Sequence, residues 1–133
     1  MKLVFICAPY RAITKCGVAA NISKASKLGI DVVNVLGKYD YFPVIAHANT
    51  GLFDFDSNVD ADIRKNDVYW LAGTSKLLLQ CDVMYCPYGG LDCTGGMVEE
   101  LKLASDNGIP VYSSLITLVN QELRKIKRKT IGS

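Results

Sequence analysis

The chain has 133 residues, 50% apolar and 21% charged, which is the size and mix of a single folded domain and excludes intrinsic disorder. The net charge of +2 conceals a basic tail: Arg124, Lys125, Lys127, Arg128 and Lys129 leave residues 1–123 with ten basic against thirteen acidic groups. A nucleic-acid binder spreads positive charge over a face, so the tail reads as a solvated helix end and nucleic acid is not an expected partner. No apolar run reaches the ~20 residues of a membrane span. The opening run 3–8 is too short for a signal-peptide core, so neither export nor membrane contact is expected.

The first strand is expected over Lys2–Ala8, nearly all apolar as in a strand buried on both faces, ending at Pro9. A helix follows from about Asn21 to Lys38, with Ile22, Ala25, Leu28, Val32, Val35 and Leu36 on one face. Gly29 weakens its middle without ending it. Tyr41–Ala46 reads as a second strand, His47 to about Asp60 as a polar loop, and Asp60 to Gln80 as one helix burying Ile63, Trp70, Leu77, Leu78 and Cys81. Asp82–Tyr88 is the third strand and Gly89–Thr94 a glycine-rich loop. A helix then opens at Gly95 or Gly96 and closes at Asn107-Gly108, a C-cap pattern. Ile109–Ser113 is the fourth strand, and Leu115 to Arg128 the last helix.

This alternation predicts an α/β domain over 1–133: a three-layer, flavodoxin-like or Rossmann-like parallel sheet of order 2-1-3-4 with helices on both faces. Ligands of such sheets bind at the carboxyl ends of the strands, where the order reverses. Three loops meet there, at 9–15, 47–56 and 88–96.

Five cysteines, at 7, 16, 81, 86 and 93, form no C-x-x-C pair, and their odd number fits free thiols in a reducing, cytoplasmic setting. The lone histidine, His47, excludes sites needing two histidines, and no metal or cofactor is expected. Gly90 to Gly95 has P-loop spacing, but Gly96-Met97 stands where Lys-Ser/Thr would be, which excludes a P-loop nucleotidase. What is left is a helix N-terminus with open backbone N–H groups, an anion site by geometry or a plain connector. Helical phase puts Met97, Leu101, Ala104 and Gly108 on the buried face of that helix, with Glu100 at its border and Glu99 pointing away. Arg11 is either a phosphate ligand or a surface cation, Tyr10 a packing or catalytic ring, His47 a ligand contact or a cap, and Asp54 and Asp56 a solvated pair before a metal-binding one.

At these residues the chain resembles the nucleoside 2-deoxyribosyltransferase-like superfamily, and within it small relatives from bacteria and phages. The matching pieces are Ala8-Pro9-Tyr10-Arg11-Ala12, Asn21-Ile22, Pro43 to His47, Leu77-Leu78 with Cys81-Asp82, Thr94-x-Gly96-Met97-x-x-Glu100, and Ala104 with Gly108-Ile109-Pro110-Val111. The resemblance covers about residues 2–112. It implies that Glu100 attacks C1′ of a (deoxy)ribosyl group while the base leaves, and that water or a second base then takes the sugar. It makes Glu100, Tyr10 and Thr94 the expected catalytic residues. Pro9, Arg11, His47, Thr74, Gly95, Gly96 and Met97 become the expected contacts to a nucleotide or nucleoside. Thr94 stands where transferases of this kind carry Asp and the related nucleotide hydrolases Ser; Arg11 matches an arginine of the hydrolases' phosphate loop. Thr74 stands where an aspartate is expected to handle base or sugar. The alternative is therefore a nucleotide-binding or sequestering module without catalysis. The resemblance also implies a homo-oligomer.

Overall fold

In the computed structural model, which describes residues 1–93 and 95–132, four parallel strands form one sheet of order β2-β1-β3-β4. They are β1 (Lys2–Ile6), β2 (Tyr41–Val44), β3 (Val83–Tyr85) and β4 (Val111–Tyr112). The helices are α1 (Lys15–Leu36), α2 (Ala46–Thr50), α3 (Ala61–Arg64), α4 (Asp67–Leu79), α5 (Gly96–Asp106) and α6 (Leu115–Gly132). This is the expected α/β architecture, and its two cores follow from strand periodicity. Val4, Ile6, Val83, Tyr85 and Tyr112 turn to one face, against Ala25, Val32 and Leu36 of α1 and Leu118 of α6. Phe5, Cys7, Met84 and Cys86 turn to the other, against Leu78 of α4 and Met97 and Ala104 of α5. β1 lies in register with both neighbours, Phe5 opposite Val44 and Met84. Among the described residues no helix is long and apolar enough to cross a membrane.

Several boundaries depart from expectation. α1 starts six residues earlier than Asn21, because the Thr14 side chain accepts from the Gly17 N–H and caps it there. The Asn21 side chain instead donates to the carbonyls of Tyr10 (3.0 Å) and Arg11 (3.4 Å), tying the first loop to α1. Gly29 is buried because a Cβ there would sit 2.6 Å from Ile45 Cδ1; its place is set by the close approach of α1 to the strand edge. β2 stops at Val44, and the polar loop after it contains α2. The helix expected over Asp60–Gln80 is two helices, because Asn66 accepts from the Tyr69 N–H and starts α4 afresh. The expected buried stripe on this stretch is only partly buried: Leu78 and Cys81 are, whereas Ile63 and Leu77 are exposed and Trp70 is half-buried. β3 and β4 are shorter than expected, although the ladder continues in Cys86 N–H to Tyr112 O at 2.9 Å.

Opposite the sheet's ligand edge, α6 is pinned by Glu122, which is fully buried. The hydroxyls of Tyr41 and Tyr112 donate to its two oxygens at 2.9 and 2.6 Å, and Lys125 donates at 2.7 Å. Burial alone would raise this carboxyl, but the donors from Lys125, Tyr112 and Tyr41 outweigh it and hold Glu122 below its ordinary value.

Candidate active site

A cavity of about 250 Å³ opens where β1 and β2 end and α5 begins, at the switch point of the sheet. The first loop brings Pro9, Tyr10 and Arg11 to it, α2 brings His47, α4 brings Thr74, and the start of α5 brings Gly95, Gly96, Met97 and Glu100. Of the ten expected site residues, these nine line one cavity; the tenth, Thr94, lies outside the described residues. Asp54, Asp67 and Trp70 join them. Their signal in the sequence is faint: Asp54 sits in Asp-Phe-Asp of the second site loop, and Asp67 follows the helix-capping Asn66.

Glu100 is 8% exposed, while its neighbour Glu99 faces solvent, so the two acids differ as helical phase requires. Glu100 Oε2 is buried with no hydrogen-bond partner. Burial pushes the carboxyl up to about 7; a hydrogen bond from the Cys7 thiol works against that rise, and the Cys86 and Glu99 charges add to it. A carboxyl at this value is protonated about as often as it is ionised near neutrality, so it is available both as a nucleophile and as an acid.

Among the described residues no side chain caps α5, and Gly95 enters it at φ 54°, a conformation that favours glycine. Val98 N–H donates to Gly95 O at 3.1 Å, which leaves the amides of Gly96 and Met97 beside the cavity, next to Glu100.

Tyr10 and His47 stack face to face, ring centroids 4.5 Å apart and planes 15° from parallel. The His47 Nε2 lies 3.2 Å from the Ala8 carbonyl, which can only accept, so Nε2 carries the proton and Nδ1 is the ring's acceptor. Burial lowers the His47 pKa despite that carbonyl, and the ring is neutral at pH 7. Burial and the Asp54 charge raise the Tyr10 phenol, which Arg11 partly offsets; its hydroxyl donates to the Gly51 carbonyl at 3.4 Å. At the rim, Arg11 pairs with Asp67 at 3.0 Å, both largely exposed. Thr74 is half-buried on the cavity side of α4, so its stripe faces the cavity as much as the core.

The chain matches no protein-family model. It is similar to two curated proteins described as acetylglutamate kinase. The one from Ruthia magnifica subsp. Calyptogena magnifica is 26% identical over 111 residues, 80% of this chain and 36% of that protein. The one from Vesicomyosocius okutanii subsp. Calyptogena okutanii is 25% identical over 112 residues, 80% of this chain and 35% of that protein. The chain thus spans about a third of the length of the curated relatives it matches.

Proposed function

We propose that the chain cleaves, or transfers the sugar of, the N-glycosidic bond of a nucleotide or nucleoside, with Glu100 as the nucleophile. The observation that carries this reading is a single carboxyl: Glu100 is buried, has an oxygen without a partner, and lines a cavity beside an uncapped helix N-terminus. The ionised carboxylate attacks C1′ as the bond to the base breaks through an oxocarbenium-like transition state. A glycosyl ester forms, and water or a second base releases the sugar. Thr74 cannot protonate the leaving base, which takes its proton from solvent. Arg11 and the first-turn amides of α5 suit a 5′-phosphate.

The second reading is a nucleotide-sequestering module, favoured by the hydroxyl of Thr74 in place of a carboxylate. Phosphoryl transfer, the activity in the relatives' names, has less support: among the described residues no lysine lines the cavity. For the assembly we propose a homo-oligomer, because Val68, Tyr69 and Leu77 of α4 are 76%, 52% and 37% exposed. The five cysteines, all free, suit a reducing cytoplasm.

The test is free base released from a panel of nucleoside and deoxynucleoside 5′-monophosphates and the matching nucleosides. Glu100→Ala should lower the rate by on the order of 10³-fold or more, Glu99→Ala hardly at all. Equal rates in the two variants overturn the assignment. Calorimetric binding with a preference for the phosphate, but no base released by the wild type, selects the sequestering module.

A further inference from the structure

In the sequence the basic residues look like a tail; in the fold they spread over a layer. α1 and α6 pack side by side on one face of the sheet, with Leu28 and Val35 of α1 and Val119 and Leu123 of α6 against the same core. Together with the turn Gly37–Tyr39 after α1, they carry nine basic residues and two acidic ones, Asp31 and the buried Glu122. α4 and α5, on the opposite face, carry two basic residues and four acidic ones. The positive charge therefore lies on one side of the molecule.

Lys24, Lys27, Lys38, Arg124, Lys127 and Arg128 are all exposed, and among the described residues none of the six has an ion-pair partner. Lys125 differs, since Glu122 holds it at 2.7 Å. Helical phase puts Lys24 and Lys27 about 60° apart, on the side of α1 away from the buried Val18, Ala25, Val32 and Leu36. Arg124 and Lys127 repeat that spacing on α6, away from the buried Leu118. The helix dipole does not account for this set, because its pull on cations fades within the last turn. Lys24 and Lys27 stand in the middle of α1, and Arg124 lies more than a turn before the end of α6.

We propose that the outer face of α1 and α6 binds double-stranded nucleic acid through its phosphates, without reading sequence. Unpaired cations on two rigid helices complement a polyanion, which releases condensed counterions when they replace them. Neither helix contains an aromatic residue, so this face offers unpaired bases no ring to stack on. The apolar stripes of both helices pack into the core instead of standing free to enter a bilayer. Among the described residues none from α1 or α6 lines the cavity, so this surface goes beyond the proposed reaction and does not depend on Glu100.

The experiment is fluorescence anisotropy of the full chain with labelled DNA and RNA duplexes of about 20 base pairs, at salt from about 50 to 200 mM. The wild type should bind at least one of them with a Kd of about 1–100 µM at the low-salt end. Log K should fall with log salt at a slope of about −4, as roughly four or five neutralised phosphates require. Lys24→Gln with Lys27→Gln, and separately Arg124→Gln with Lys127→Gln, should each weaken binding about tenfold and flatten the slope by about 2. Lys76→Gln with Lys102→Gln, on the opposite layer, should change neither. Glutamine keeps the helix propensity of the residues it replaces, and circular dichroism checks the fold of each variant. Absence of duplex binding at the low-salt end overturns the proposal. So does binding that the α6 pair weakens and the α1 pair leaves intact, which would mark a tail and not a face. Capture by phosphatidylserine vesicles without affinity for either duplex would assign the face to a membrane and overturn it as well. Should the α6 pair fail to fold, the α1 pair alone decides. Base release is read separately, so either reading can fail while the other stands.

Discussion

Burial decides the charge of Glu100, and that makes it a stability determinant as well as a site residue. Its folded pKa, about 7, lies above the ordinary 4.5. Between these values the folded state holds more protons than the unfolded state, so stability is present at low pH and lost as pH rises toward 7. From pH 5 to 7 this one group should cost about 2 kcal/mol. His47 acts in the opposite sense: its folded pKa is depressed, so its share is lost as pH falls below 6.5. The difference between wild type and Glu100→Gln isolates the glutamate. Urea unfolding at pH 5 and pH 7 should show the wild type losing about 2 kcal/mol relative to the variant; parallel behaviour would mean that Glu100 is ordinarily solvated. The separation of Glu100 from Glu99 was legible in the sequence because helix phase is a local property. The buried Glu122 was not, since its partners Tyr41 and Tyr112 come from strands 81 and 10 residues away and no periodicity links them to a lysine-rich tail.

At the scale of elements, α2 depends on a glycine that has no room to change. A Cβ on Gly51 would run into the His47 carbonyl oxygen and Ile22 Cδ1, locking the end of α2 against α1. Gly51→Ala should therefore destabilise by about 1–3 kcal/mol, as overpacking does, and displace His47 from Tyr10. Gly73, in the middle of α4, has nothing within 4 Å of its Cβ position, and Gly73→Ala should stabilise by about 1 kcal/mol through helix propensity. Thermal unfolding of the two variants should show shifts of opposite sign. The strands and the long helices were readable, but α2 was hidden in a stretch that reads as loop, and the ends were less clear. The early start of α1 was obscured because Lys15-Cys16-Gly17 carries no apolar period, although the Thr14 cap was there. The break before α4 was marked only by Asn66-Asp67, a capping pair inside a run read as continuous.

For the whole molecule, strand order was the most legible property. Strands alternating with helices leave few right-handed arrangements, and 2-1-3-4 is one of them. Assembly is written less clearly, in a helix that is apolar around much of its circumference. If α4 packs against a second copy, light scattering at micromolar concentration should give at least twice 14.5 kDa, and Val68→Lys should reduce it. A mass near 14.5 kDa for the wild type would remove the oligomer.

On the proposed function, the rim pair of Arg11 and Asp67 bears on how long a phosphate-bearing ligand would stay. So exposed a pair is worth at most about 1 kcal/mol. Asp67 is also the first residue of α4, where the helix amides favour a carboxylate even without the arginine. Arg11 can therefore change partners at little cost in either direction. An arriving dianion finds the guanidinium already held at the rim. A departing one leaves it to be recaptured by Asp67 instead of stranded in solvent. On the proposed function, residence time at this end of the cavity would be shortened by the protein's own carboxylate, and a phosphate-bearing product would leave without having to break free of an unpaired cation.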